Sequence, residues 1–278
     1  MTSSSVFSRH RTPCIGVNLF IGLILGYSVS LRAQPAAYTN ANAHSHNDYE
    51  QKRPFHAAYE LGFGSIEADV FLKDNGLYVA HNFEDIKPER TLEALYLKPL
   101  LQKTSENKGF PYPQRKEIQL LIDIKNTGPA TLVALQKLFD PYRKELRHVR
   151  IVISGQMPPP DEMFAQDKLF TFDGRKELIY PKNAFSYVVL VSSSMLSFGK
   201  YWNGKQPLDP EIRGRIETFV KLQHAQKKLV RLWATPNTAL GYQTLKELGV
   251  DYIGTDDLAG LAAFLGKEER RKGEKEER

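Results

Sequence analysis

Two segments of the sequence carry carboxylates at alternate positions, as a β-strand does when it projects them from one face. Residues 65–70, SIEADV, place Glu67 and Asp69 on one face and apolar side chains on the other. The segment LIDIK adds Asp123 and Lys125 in the same alternation. Carboxylate oxygens suit a hard divalent cation, Mg²⁺ or Ca²⁺, better than zinc. Glu67, Asp69 and Asp123 are therefore the predicted metal ligands.

Lys125 allows a second interpretation of the same carboxylates. In a buried ion-pair network this ammonium group alone would satisfy the acids, and no metal would be needed. Three acids against one lysine favour a further cation.

Three of the seven histidines end strand-like runs, where the rim of a barrel would place them. His44 and His46 lie in AHSHND, and His81 ends LYVAH, which follows a tight DNG turn. This turn predicts that His81 folds back beside the strand that carries Glu67. Imidazoles titrate near neutrality, so one can accept a proton from an attacking hydroxyl while another protonates the leaving oxygen.

The other histidines beyond residue 34 lie in patterns that are less typical of a site. His56 lies in a helical pattern, His148 precedes a strand and His224 lies on an amphipathic helix, so structural or surface roles are predicted for them. The remaining set, a cation, a lysine and two acid-base groups, meets the needs of phosphodiester cleavage. These needs are neutralisation of the non-bridging oxygens and proton transfer on both sides of phosphorus.

The elements that must position these residues alternate between short apolar runs and helical patterns from residue 41 onward. This order predicts an α/β fold, a single (β/α)8 TIM barrel with its active site at the C-terminal rim of the strands. An open doubly wound sheet is the alternative, because residues 157–181 are irregular. Helices are predicted at 53–61, 131–139, 210–226, 238–248 and 258–265, and strands ending near Ser45, Val70, Ile124, Ser154, Phe172, Val191, Trp233 and Thr255.

Composition and charge exclude several classes of protein. The chain has 278 residues, of which 41% are hydrophobic, so it can bury a sizeable core. Its net charge is +6, but Arg9, Arg11 and Arg32 precede residue 35 without any acid, which leaves +3 for the rest. No nucleic-acid partner follows from this charge. Cys14 is the only cysteine, so a chain without its leader has no disulfide, zinc thiolate or cysteine nucleophile.

The first 34 residues resemble a targeting segment. A basic, Ser-rich start is followed by the uncharged apolar residues 14–31. This pattern favours a secretory signal peptide over residues 1–34 and export to the periplasm or the extracellular medium, with a membrane anchor as the alternative. The predicted barrel then spans 35–266, and residues 267–278 form a charged tail with six basic and five acidic residues.

Four motifs follow the order and approximate spacing of a known superfamily: AH at 43–44, GSIEADV at 64–70, GLYVAH at 76–81 and IDIK at 122–125. The sequence resembles the glycerophosphodiester phosphodiesterase and phosphatidylinositol-specific phospholipase C-like superfamily. HSHNDY at 44–49 resembles most the branch that includes the fungal altered-inheritance-of-mitochondria proteins, and GVDYIGTD at 249–256 resembles the terminal strand signature.

This resemblance implies a TIM barrel that binds one divalent cation through Glu67, Asp69 and Asp123. It implies His44 and His81 as the acid-base pair of a phosphoric diester hydrolase. Lys125 matches the lysine on the phosphate side, and Trp233 resembles a late-barrel aromatic residue that contacts substrate. The implied substrate is a small-molecule or lipid phosphodiester, of the glycerophosphodiester or phospholipid-headgroup type. An uncleaved N-terminal anchor would bring the rim of the barrel to a membrane surface, and no protein partner is implied.

The first strand departs from the glycerophosphodiesterase pattern His-Arg-Gly. Ser45 and His46 replace the arginine and the glycine. Either His46 contacts the phosphate in place of the arginine, or it displaces His44 as the first acid-base residue.

Two other functions fit parts of the sequence. The His-x-His of residues 44–46 also opens amidohydrolase-type and histidinol-phosphatase-type barrels, with Asp256 as the last-strand aspartate, but no later strand ends in a further histidine. A barrel that binds a sugar or a phospholipid headgroup without turnover is the third possibility. Metal analysis separates the three: one Mg²⁺ or Ca²⁺, two zinc-class ions, or none.

Overall fold

A computed structural model of the chain describes residues 37–276, together with residues 1 and 35. Within this part of the chain, nine strands form one sheet. Their bounds are β1 Ala43–Ser45, β2 Ser65–Lys73, β3 Gly76–Val79, β4 Ile118–Ile124, β5 Val149–Gly155, β6 Phe170–Arg175, β7 Val188–Ser194, β8 Leu229–Trp233 and β9 Tyr252–Thr255.

The sheet closes on itself. Its order is β1-β9-β8-β7-β6-β5-β4-β2-β3, and β1 also pairs in parallel with β2. All strands except β3 are therefore members of a closed parallel barrel of eight strands. This confirms the predicted (β/α)8 barrel and excludes the open doubly wound sheet.

The described chain has seven α-helices, of which six lie between strands and the last follows β9. Several begin and end where local chemistry requires. Asp209 caps the backbone N–H groups of Glu211 and Ile212, and Gly249 has a φ of +81°, which terminates a helix in the left-handed region. The helices are α1 His56–Glu60, α2 Lys98–Glu106, α3 Gly128–Phe139, α4 Lys182–Phe185, α5 Pro210–Ala225, α6 Ala239–Glu247 and α7 Leu258–Glu276.

The irregular stretch 157–181 has a physical explanation. Three consecutive prolines at 158–160 cannot continue a helix, and only a short 3₁₀ turn, Met163–Ala165, lies between β5 and β6. The connection from β6 to β7 contains only the four-residue α4. The barrel is thus closed although two of its crossovers are reduced.

The β2–β3 hairpin brings His81 to the second strand. Asp74 and Asn75 have φ values of 48° and 64°, as a two-residue hairpin turn requires. Val70 pairs with Val79, and the N–H of Ala80 donates to the carbonyl of Asp69 at 3.3 Å. The predicted fold-back of this segment is therefore present.

Two apolar layers support the site. The outward faces of the strands pack with the helices in the main core. Inside the barrel, Leu121, Val152, Leu190 and Leu229 form a separate buried cluster. Polar residues lie two positions later on the same strands and therefore on the same inward face. The apolar cluster is thus the floor beneath the polar site.

Residues 37–276 belong to one compact unit. The predicted boundary at 266 falls inside α7, and the leader predicted over residues 1–34 lies outside the described residues apart from Met1. Among the described residues, no helix is both long and apolar enough to cross a membrane.

Candidate active site

The three predicted ligand carboxylates converge between the neighbouring strands β2 and β4. Asp69 and Asp123 are direct partners in the register of these parallel strands. One oxygen from each of Glu67, Asp69 and Asp123 lies within 4.8 Å of the others. Within the described chain they are the one group of acidic, histidine or cysteine side chains placed to share an ion. The His-x-His alternative, which needs a histidine cluster, has no such group in this part of the molecule.

Lys125 contacts two of the three carboxylates, through one oxygen of each. Its Nζ lies 2.8 Å from Asp69 Oδ2 and 2.7 Å from Asp123 Oδ2. The other oxygens, Asp69 Oδ1 and Asp123 Oδ1, are buried and have no hydrogen-bond partner among the described residues. Burial of a carboxylate oxygen without a donor is costly unless a cation contacts it. The donor set therefore fits a hard divalent cation in addition to the lysine.

Burial and repulsion act on the same cluster. Burial, followed by the negative charge of Glu67, raises the pKa of Asp69 to about 6. For Lys125, burial disfavours the charged form, but Asp123 and Asp69 outweigh it and raise the pKa of the ammonium group. The site thus carries more negative charge than its single lysine neutralises.

His44 lies beneath the acidic cluster and has no exposed surface. Its Nδ1 is 2.8 Å from Ser65 Oγ, and its Nε2 is 2.8 Å from Glu67 Oε2. Arg231 Nη1 lies 2.8 Å from the same Nε2. Burial, followed by the charge of Arg231, lowers the pKa of His44 to about 4, so the ring is neutral. Both of its nitrogens are engaged by protein groups.

His46 lies one layer higher, at the cavity. Its Nδ1 is 2.7 Å from Asp256 Oδ1, and Asn237 donates to the other oxygen of Asp256 at 3.1 Å. Burial opposes protonation of His46, but the hydrogen bond to Asp256 and the negative charges of Glu67 and Asp256 together outweigh it, and the pKa of His46 is raised. The hydrogen bond to His46 in turn lowers the pKa of Asp256.

Tyr49 links His81 to the acidic cluster. Its hydroxyl donates to Asp69 Oδ2 at 2.7 Å and lies 3.0 Å from His81 Nδ1. A hydroxyl has a single proton, and Asp69 accepts it because the carboxylate is charged and closer than His81. The remaining contact is therefore a hydrogen bond from His81 Nδ1–H to the Tyr49 oxygen. Buried Asp48 holds the preceding loop by accepting from Ser45 Oγ at 2.7 Å. Tyr49 was not among the predicted site residues, because only the histidines of HSHNDY were assigned chemical roles.

The opposite side of the barrel carries a buried arginine. Arg231 Nη1 donates to Glu67 Oε2 at 2.9 Å, Nε donates to Ser192 Oγ at 3.1 Å, and Nη2 lies 3.8 Å from Asp173 Oδ2. Asp173 Oδ1 accepts from the N–H of Ser192 at 2.8 Å. Burial would raise the pKa of Glu67, but Arg231 and then His44 keep it well below its usual range.

Sequence reasoning also missed these residues of β6, β7 and β8. A signal was present, since FTFDGR and LVRLW place Asp173 and Arg231 on the inward face of their strands. Polar residues within otherwise apolar alternation are the pattern that identifies them.

One cavity of about 650 Å³ contains most of the predicted site. Trp233 lies at its exposed edge. His44 does not line it and borders only a smaller cavity of about 70 Å³. His148 stacks on Phe110, and His224 is 2.8 Å from buried Asp251, both away from this cavity. The predicted site residues that line the large cavity are His46, Glu67, Asp69, His81, Asp123, Lys125 and Trp233.

The closed barrel has the fold of solved phosphodiesterases. It superposes on a glycerophosphodiester phosphodiesterase from Parabacteroides distasonis with a TM-score of 0.54 and 16% identity, covering 83% of this chain and 99% of that one. A calcium-dependent phosphoinositol-specific phospholipase C from a Pseudomonas species gives a TM-score of 0.50 and 12% identity, covering 82% and 94%. The protein thus has the TIM-barrel fold of these two enzymes.

Sequence comparison identifies the family. Residues 36–150 match the AIM6-like phosphodiesterase domain. The chain is 30% identical over 266 residues to Altered inheritance of mitochondria protein 6 from Eremothecium gossypii, an alignment that covers 80% of this chain and 68% of the relative. The chain belongs to this family, which confirms the branch that the HSHNDY motif indicated.

The prediction of export is wrong on this comparison. The relatives are named for altered inheritance of mitochondria, which points to an association with mitochondria rather than to export through a signal peptide. The apolar residues 14–31 resemble the core of a signal peptide in composition alone, and composition does not specify the compartment.

Proposed function

We propose that this protein cleaves a phosphodiester bond in a reaction that depends on one divalent cation, Mg²⁺ or Ca²⁺. The observation that carries the proposal is the shared cavity in which two imidazoles flank a carboxylate cluster with two unpartnered oxygens. Glu67, Asp69 and Asp123 hold the cation. When bound, the cation neutralises the charge that develops on the non-bridging oxygens.

His46 is the first acid-base residue in this proposal. A carboxylate acceptor on Nδ1 keeps the proton there, so Nε2 is the nitrogen available to accept a proton from the attacking hydroxyl. His44 faces Glu67 and Ser65 and does not line the large cavity, so it positions the Glu67 carboxylate. Of the two alternatives that the first-strand sequence leaves open, this proposal takes the one in which His46 displaces His44 as the acid-base residue.

His81 is the second acid-base residue. Its Nδ1 is held by Tyr49, and its side chain is more than half exposed at the cavity. When protonated, its Nε2 can donate to the leaving oxygen. Tyr49 also contacts Asp69, so the same hydroxyl aligns an acid-base group and a carboxylate of the metal cluster.

Lys125 and Trp233 contact the substrate in this proposal. The Lys125 ammonium group lies between Asp69 and Asp123, where it can stabilise a phosphate oxygen. Trp233 offers an apolar ring at the cavity edge to the organic part of the diester. The substrate class is a glycerophosphodiester or a phospholipid headgroup diester.

A panel of diesters followed by phosphorus NMR tests the proposal. Choline, ethanolamine, inositol and glycerol diesters are incubated with the protein, with and without added Mg²⁺ or Ca²⁺. Cation-dependent loss of one diester signal supports the proposal, and the new signal identifies a monoester or a cyclic phosphate. If the protein binds a diester but the signal persists with either cation, the barrel is a binding protein without turnover.

A further inference from the structure

Large apolar side chains are exposed on the loops that leave the C-terminal ends of β6 and β7. Ile179 is 91% exposed, Tyr201 is 74% exposed and Leu196 is 51% exposed, and Leu178 is also exposed. Soluble proteins expose single apolar residues commonly, but several on one rim mark an interaction surface. We define these four residues as the rim patch.

The loops that carry the rim patch are neighbours. In the barrel register, Arg175 of β6 pairs with Ser192 of β7, so the chain leaves both strands side by side. Lys176 Nζ lies 5.2 Å above the ring of Phe198, which joins the loop after β6 to the turn after β7. Farther along this second loop, the Gly204 carbonyl accepts from Thr238 Oγ1 at 3.3 Å, which holds it to the rim beyond β8.

The same segment is basic. Residues 175–209 contain five Lys or Arg residues and two acidic residues. Both acids are engaged locally, since Glu177 pairs with Lys176 at 3.0 Å and Asp209 caps α5. Lys182, Lys200 and Lys205 therefore add positive charge close to the exposed apolar side chains.

We propose that the rim patch and its lysines bind the surface of an anionic phospholipid bilayer. Apolar side chains on loop tips can enter the interface while lysines remain among the anionic headgroups, which is the combination that interfacial binding requires. Tyrosine suits this depth because its ring is apolar and its hydroxyl is polar.

The surface also bears on the substrate. Glu177 and Ser197, from the same two loops, line the large cavity together with Ser194 at the end of β7. A bilayer bound at the rim patch therefore faces the cavity mouth. On this basis the substrate is a phospholipid held in a membrane, an extension that rests on the proposed phosphodiesterase function.

Vesicle sedimentation tests the surface. The full chain is mixed with vesicles of phosphatidylcholine alone or with phosphatidylserine, and the bound fraction is measured. Binding is expected only to the mixed vesicles and should weaken in high salt. The double variant Ile179→Ser, Leu196→Ser should bind about tenfold more weakly. The matched control is Leu222→Ser with Val133→Ser, since these side chains are exposed to 55% and 53% on α5 and α3, and it should bind as the wild type does.

The proposal that the rim patch binds a bilayer is contradicted if the rim and control variants bind equally, or if the wild type does not bind the mixed vesicles. A concentration-dependent dimer that the rim variant abolishes also overturns it, because the patch then contacts a second copy. Glycerophosphocholine, a soluble diester, separates this inference from the proposed function. If the protein cleaves it but does not bind vesicles, the proposed phosphodiesterase function stands and the membrane surface is contradicted. If the protein binds vesicles but cleaves no diester, the membrane surface stands and the phosphodiesterase function is contradicted.

Discussion

The two sides of the barrel interior treat their charges differently. The acidic wall, Asp69 and Asp123 on β2 and β4, has two buried carboxylate oxygens without a donor among the described residues. The arginine wall, Asp173, Ser192 and Arg231 on β6 to β8, is bonded internally, and Arg231 also reaches Glu67 across the barrel. Both walls rest on the same apolar floor.

This difference separates the charges that stabilise the fold from those that are placed to bind a ligand. The arginine wall is completed by the chain itself, so its loss should affect stability first. The acidic wall is completed only when a further cation contacts it, so its loss should affect activity first. Glu67 belongs to both, because it shares the acidic cluster and accepts from Arg231.

The largest expected effect is on the acidic wall. Asp69→Asn or Asp123→Asn, or excess chelator, should reduce diester cleavage by at least about 10⁴-fold, because charge neutralisation at phosphorus is lost. The free energy of unfolding of the metal-free variants should equal or exceed that of the wild type, because repulsion within the cluster is relieved. Cleavage assays and urea unfolding measure the two quantities. Undiminished activity in chelator would contradict the metal assignment.

The arginine wall should show the opposite behaviour. Arg231→Met leaves the Glu67 and Asp173 carboxylates buried without their cation, so the free energy of unfolding should fall by about 3 to 5 kcal/mol. The control is Arg213→Met, whose pair with Glu247 is partly exposed and should cost at most about 1 kcal/mol. Urea unfolding of both variants checks this. If the two variants lose equal stability, the contrast between the walls fails.

The two first-strand histidines extend the comparison, since His44 is fully buried whereas His46 lines the large cavity. His46→Ala should lower kcat by about 10² to 10⁴-fold, because a general base is lost, with little change in stability. His44→Ala removes a buried ring with partners on both nitrogens and should lower the free energy of unfolding by about 2 kcal/mol or more. Steady-state kinetics and urea unfolding separate them. The reverse pattern would assign proton transfer to His44.

The smallest expected effect is a shift with pH. His46 accepts a proton only when neutral, and Asp256 raises its pKa, so the acidic limb of kcat/KM should lie above the ordinary histidine value of 6.5. Asp256→Asn should move this limb to lower pH. A pH profile of kcat/KM tests the shift, and an unmoved limb would show that another group titrates.

The pair of His46 and Asp256 also predicts how the stability of the protein depends on pH. The contribution of His46, whose pKa is raised on folding, is complete below 6.5 and is lost as pH rises through its folded pKa. The contribution of Asp256, whose pKa is lowered, is present above 3.8 and is lost as pH falls through its folded pKa. Asp256→Asn should therefore lower stability mainly between about pH 4 and 6.5, by at most about 1 kcal/mol because the pair is half-exposed.

Much of the fold was predictable because its signals are local. Alternation placed Glu67, Asp69 and Asp123 on inward faces, and the DNG turn returned His81 to the second strand. Alternation with helical segments indicated the barrel, and Gly249 marked the end of a helix. The crossover between β5 and β6 was not predictable, because its prolines exclude a helix without specifying another path.

What the sequence alone determined is the inward face of each strand, and with it the set of acids and histidines that face the barrel interior. Only the tertiary structure decided their depth and partners. His44 and His46 share a face, yet the stagger of the closed barrel places His44 under Glu67 and His46 beside Asp256. Arg231 meets Glu67 from 164 residues away for the same reason. Period-two alternation specifies direction, whereas depth depends on how all eight strands are offset when the sheet closes.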